Sequence, residues 1–165
     1  MKKYLLFFMI AFPILYFVSC SRVSEEELWK QSQTLIEEGK HKEAIEKLKQ
    51  FVKEFPKSEK APDAQFYIAS IYNNDLHEFE NAIEEYRNFV EMFPEHSNAP
   101  KALFLIGFIY NNQLHQLDKA KSAYEEFLNK YPDHELTQSA QIEIQTLGKN
   151  PEELIPPEIV SKEKK

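Results

Sequence analysis

Three stretches decide the architecture of this chain: AIEKLKQFVKEFP at 44–56, AIEEYRNFVEMFP at 82–94 and AKSAYEEFLNKYP at 120–132. In each, an Ala is followed by a Phe 7 residues on and a Pro 12 residues on, giving Ala44–Phe51–Pro56, Ala82–Phe89–Pro94 and Ala120–Phe127–Pro132. Every member of the triplet recurs after 38 residues. Other residues keep the same step: Ala61-Pro62 with Ala99-Pro100, the series Ala64, Ala102, Ala140, and IYNNDLH at 71–77 with IYNNQLH at 109–115. A fixed period of about 20–50 residues is the signature of stacked structural repeats.

The triplet suits one helical hairpin per repeat. A small Ala lets two antiparallel helices approach closely. Two turns further along the same face, Phe51, Phe89 or Phe127 fills the gap toward the next hairpin. Pro56, Pro94 and Pro132 cannot continue a helix, and each pushes the preceding Phe55, Phe93 or Tyr131 out of α geometry. The spacing predicts helices over 25–38, 42–55, 62–73, 79–93, 100–111, 117–131 and 137–147. Ser24 is a candidate N-cap with Glu27 closing a capping box, and Gly39 suits a left-handed C-cap. Pro62 and Pro100 fit the first turn of a helix. The last helix continues the step through Ala140, Ile142 and Ile144. It carries Gln145 where earlier units have Gly107 and Ala69, as a solvent-facing end of a stack requires.

These offsets, with Ala69/Tyr72 and Gly107/Tyr110 at matching places in the preceding helices, resemble the tetratricopeptide (TPR) repeat, whose standard period is about 34 residues. The longer unit and the FP/YP endings resemble most the TPR repeats of bacterial envelope lipoproteins, namely the BamD-type subunit of outer-membrane barrel assembly and the C-terminal domain of the division coordinator CpoB (YbgF). The resemblance implies an all-α TPR helical-hairpin solenoid at 25–148, with repeats at 25–60, 61–98 and 99–136 and a capping helix at 137–148.

The leader points the same way. Lys2 and Lys3 precede an apolar run from Tyr4 to Val18, shorter than the ~20 residues that span a bilayer, so 1–19 reads as a signal peptide. Ser19 then precedes Cys20, the one cysteine in the chain. This resembles the lipobox of bacterial lipoproteins, with Phe17 where Leu is usual, and implies a diacylglycerol on the Cys20 sulfur with palmitate-type chains. The alternatives are a free thiol behind an ordinary cleavage site, or an uncleaved anchor. Ser21, rather than Asp, follows the cysteine, which by the same resemblance favours the outer membrane and a periplasm-facing domain on a short tether at 20–24. Residues 149–165 carry Pro and charge without a period and read as a disordered tail; Leu154 and Ile155 are its candidates for packing back on the cap.

Composition narrows function. The net charge is −7, and an acidic body lacks the basic stripe that nucleic-acid binding needs. The expected partners are other envelope proteins or peptides, with the membrane reached through the lipid. Neither a small-molecule substrate nor a cofactor is expected. First helices of stacked hairpins line the concave side of a solenoid, and the resemblance places one column there at Trp29, Phe66 and Phe104, and a second at Gln33, Ser70 and Phe108. Asn73 and Asn111 sit near the ends of these helices. One reading is a groove with aromatic anchors and amides for backbone hydrogen bonds; the other is that the aromatics are inter-repeat core and the Asn pairs turn residues tolerant of left-handed geometry. A TPR clamp for terminal carboxylates needs Lys and Asn on successive first helices, whereas Trp29 and Gln33 hold the first-repeat places, so that clamp is not expected.

No metal site is expected either. His77 and His115, like His96 and His134, are repeat-spaced loop residues on separate hairpins, with no second ligand at helical spacing. The acid pairs Glu84-Glu85 and Glu125-Glu126 read as solvated surface charge, with nothing closing a pocket around them. Without a nucleophile elbow or phosphate loop, the sequence points to a non-catalytic interaction scaffold of an envelope assembly, BamD-like. The alternatives are a CpoB-like adaptor in cell-division, cell-wall or Tol-Pal coordination, and a self-associating structural protein.

Overall fold

A computed structural model describes residues 23–149. The leader 1–19, Cys20 and residues 150–165 of the tail lie outside the described residues. Those described form seven α-helices and no strand: α1 (Glu25–Glu37), α2 (His41–Glu54), α3 (Ala61–Asn74), α4 (Phe79–Met92), α5 (Ala99–Asn112), α6 (Leu117–Lys130) and α7 (Thr137–Thr146). Substantial packing joins only helices consecutive in the chain. That is a solenoid of three hairpins, α1–α2, α3–α4 and α5–α6, with α7 laid on the end.

Local chemistry explains the ends. Ser24 Oγ accepts the Glu27 N–H (3.2 Å), but the capping box closes on one side only, because the Glu27 carboxylate takes the Gln31 amide instead (2.8 Å). Gly39 stands at φ +70°, with its N–H on the Ile36 carbonyl and the Lys40 N–H on that of Leu35, a Schellman closure. Phe55, Phe93 and Tyr131 leave helical geometry (φ −126°, −132° and −132°), as the following prolines require. In the second and third hairpins the left-handed residues are His77 (φ 54°) and His115 (φ 53°). The Asn pairs expected to tolerate that geometry stay helical, since α3 and α5 run through Asn74 and Asn112.

The triplet forms the core. Ala44, Ala82 and Ala120, with Phe51, Phe89 and Phe127, are all fully buried. So are Ala64, Ala102 and Ala140 from the first helices. Tyr86 and Tyr124 fill the space between paired helices. Gly107 is required there, because a Cβ at this position would lie 2.7 Å from the Tyr124 ring.

One expectation is overturned inside this core. Glu85 is not solvated surface charge: it is 8% exposed. Its carboxylate accepts from Lys49 Nζ of α2 (2.6 Å), Gln65 Nε2 of α3 (2.8 Å) and Asn88 Nδ2 (3.2 Å). Burial pushes this carboxyl up, but the three donors prevail and hold it below the usual range. Glu126 is also partnered rather than merely solvated, with Arg87 at 3.2 Å and Lys130 at 3.0 Å. Both carboxylates therefore tie consecutive hairpins together.

Candidate interaction face

The predicted aromatic column lies on α1, α3 and α5, and each ring rests against the second helix of its own hairpin. Trp29 packs on Phe51 (centroids 5.4 Å apart), Phe66 on Tyr86 and Phe89 (5.4 Å each), and Phe104 on Tyr124 and Phe127 (5.3 and 5.9 Å). All three are half-buried. One side of each ring is fixed by packing and the rest remains accessible, which pre-organises the side chain without hiding it.

Contacts between hairpins make these patches continuous. Trp29 meets Tyr67 of α3 at 6.2 Å. Lys101 of α5 places its ammonium 5.7 Å over the Phe66 ring, and Lys60 does the same over Trp29. Lys60 also pairs with Glu26 at 2.8 Å, and its hydrogen bond and charge keep the Glu26 carboxyl below the usual range. Tyr67, 40% exposed, escaped the sequence reading because its place one repeat later holds Leu105, so no periodic column passes through it.

The second column divides. Phe108 is 38% exposed, Ser70 Oγ lies 3.3 Å from the Tyr86 hydroxyl, and the Gln33 side-chain nitrogen is enclosed without a hydrogen-bond partner. Asn73 donates to Asn74 Oδ1 (2.7 Å). Asn111 donates to Glu143 Oε2 (3.1 Å) and so joins α5 to α7. Burial, followed by the nearby Glu143 carboxylate, pushes the Tyr124 hydroxyl well above its usual range.

Two clefts open away from these rings. One of about 380 Å³ lies between α1 and α2, beside Glu27, Leu35 and Lys47, and one of about 400 Å³ lies between α2 and α3, beside Ile45, Tyr72 and Leu76. Neither cleft is lined by Trp29, Phe66 or Phe104, whose part-exposed rings stand on the surface of α1, α3 and α5. Among the described residues, no three His, Cys, Asp or Glu side chains come together as metal ligands. No described helix is long and apolar enough to cross a membrane.

The architecture and this face define a helical-hairpin repeat protein of the TPR type. A family model described as YfiO, outer membrane lipoprotein, matches residues 21–150. The chain belongs to that family, the BamD-type lipoproteins. A comparison with curated proteins finds no match. Among solved structures, one titled "MamA RS-1 ArsTM double mutant" is similar at 15% identity and a TM-score of 0.40, covering 76% of this chain and 96% of that one.

Proposed function

We propose that this protein is a non-catalytic scaffold of the bacterial envelope, anchored to the outer membrane through lipid on Cys20 and holding another envelope protein on the face of α1, α3 and α5. Family membership supports the envelope setting. The observation that carries the binding face is its continuity across hairpins, with Trp29 against Tyr67 and Lys101 over Phe66. Stacked faces of this kind hold an extended or helical segment by anchoring a few large side chains. Trp29, Phe66, Phe104 and Phe108 would serve as anchors, and Gln33, Ser70, Asn73 and Asn111 as polar groups along the same helices. The assembly we favour is β-barrel insertion, in keeping with the family.

Affinity capture from the native envelope tests this, comparing the native chain with a Trp29→Ala/Tyr67→Ala variant. Stoichiometric barrel-assembly subunits on the native chain, lost from a variant that still folds, are the expected result. Recovery of Tol-Pal or cell-wall enzymes would transfer the scaffold to a division adaptor. Recovery of the protein alone, or identical capture by both chains, would overturn the reading.

A further inference from the structure

Each hairpin joins the next element through a six-residue linker that contains the proline, and one residue is the pivot of every linker. In the first it is Ser58, in the second His96 and in the third His134, again 38 residues apart. The pivot N–H donates back to the carbonyl that ends the second helix: Ser58 to Phe55 (3.0 Å), His96 to Phe93 (3.1 Å) and His134 to Tyr131 (3.2 Å). Its carbonyl accepts from the start of the next first helix: Ala61 (3.1 Å), Ala99 (2.8 Å) and Thr137 (2.9 Å).

The pivot side chain closes the same turn, accepting the N–H two residues on. Ser58 Oγ takes Lys60 (3.0 Å), His96 Nδ1 takes Asn98 (3.2 Å) and His134 Nδ1 takes Leu136 (3.2 Å). Accepting at Nδ1 requires the neutral ring with its hydrogen on Nε2. Each imidazole is half-buried and stands edge-on to a core ring, His96 on Phe89 (5.5 Å, 90°) and His134 on Phe127 (5.9 Å, 87°).

We propose that the second and third joints of the solenoid are pH-sensitive hinges and that the first is not. A proton on Nδ1 turns the acceptor into a donor aimed at another N–H, so the ring must leave its turn. Imidazole is the side chain whose charge changes between about pH 5 and pH 8. A hydroxyl does not titrate there, and Ser58 is further held by donating to Glu25 Oε1 (2.6 Å). Along the chain the pivots are flanked by Glu95 at the second joint and by Asp133 and Glu135 at the third. Tyr131 reaches the second joint from α6, its hydroxyl donating to the Pro94 carbonyl (3.4 Å). Among the described residues, the histidine with a carboxylate within 4.0 Å is His41, beside Asp75 at 3.7 Å, so neither pivot ring forms a compensating ion pair. Acidification therefore loosens α5 and α7 from the hairpins before them, and leaves α3 seated.

Amide exchange by NMR on the full chain in detergent micelles, corrected for intrinsic rates, tests this at about pH 7.5 and about pH 5.5. The Asn98 and Leu136 amides should lose roughly threefold to tenfold in protection at the lower pH, the scale of one hydrogen bond, while Lys60 holds. His96→Ser/His134→Ser, which copies the first joint, should abolish the loss. Ser58→His should confer it on Lys60. Asn98 and Leu136 keeping pace with Lys60 in the native chain, or falling equally in the double variant, would overturn the proposal.

Discussion

The buried cluster at the first junction can be tested against the chain's own second solution. Gln65 and Glu85 pair inside the second hairpin at 2.8 Å, and Gln65 also reaches the Glu85 carbonyl at 3.2 Å. One repeat later the same two places hold Leu103 and Ala123, 1% exposed each. Glu85→Ala leaves the Gln65 amide, at 4% exposure, with one donor unmet, costing about 1–3 kcal/mol. The lost Lys49 pair adds less than about 1 kcal/mol, because the lysine side chain is 48% exposed and screened by water. Gln65→Leu alone deprives the carboxylate of one of its donors, at about 1–2 kcal/mol. The double variant Gln65→Leu/Glu85→Ala reproduces the apolar junction and removes both orphaned groups, so it should fall within about 1 kcal/mol of the native chain. Urea unfolding of the four proteins closes the cycle, with an expected coupling of about 2 kcal/mol. If the two single costs simply add, Gln65 and Glu85 do not depend on one another and the account of this junction is wrong.

Other perturbations follow from the same geometry. Because its donors hold the folded Glu85 carboxyl below its ordinary value of 4.5, the folded state binds that proton less readily than the unfolded chain. The stabilisation is present above about pH 4.5 and lost as pH falls further; the native chain should lose stability relative to Gln65→Leu/Glu85→Ala across that acid range, and parallel curves would refute this. Ala82→Leu forces a larger side chain between fully packed helices and should destabilise by about 1–3 kcal/mol, so an unchanged melting curve would show the pair misplaced. Trp29→Ala removes a half-buried ring from Phe51 and should cost about 1–2 kcal/mol. It should weaken partner capture by a larger factor, and equal losses would return Trp29 to the core. Cys20→Ser should move the protein from the membrane to the soluble fraction, and continued membrane retention would remove lipid on Cys20 as its anchor.

What the sequence by itself determined is whatever short-range chemistry repeats. Alanine, phenylalanine and proline at constant offsets specify close approach, filled space and a stop, and each observed helix end falls within one residue of the expected one. Gly39 was legible for the same reason, since a left-handed closure is a property of a few consecutive residues. The aromatic column was legible as positions but not as contacts, because periodicity cannot say which side of Phe66 meets Phe89 and which meets Lys101. The 38-residue step sets Glu85 at the place of Ala123 and Glu84 at that of Ser122, so the core-facing acid of the pair was legible. Only the tertiary structure decided its partners, since its donors Lys49 and Gln65 come from two other helices. The same holds for the pivots, where Ser58, His96 and His134 share no chemistry in one dimension. Their equivalence appears when three turns place a lone pair against the same N–H. Helix, cap and stop are set by neighbours along the chain, whereas the partners of a buried charge and the role of a ring nitrogen are set by residues brought together across the stack.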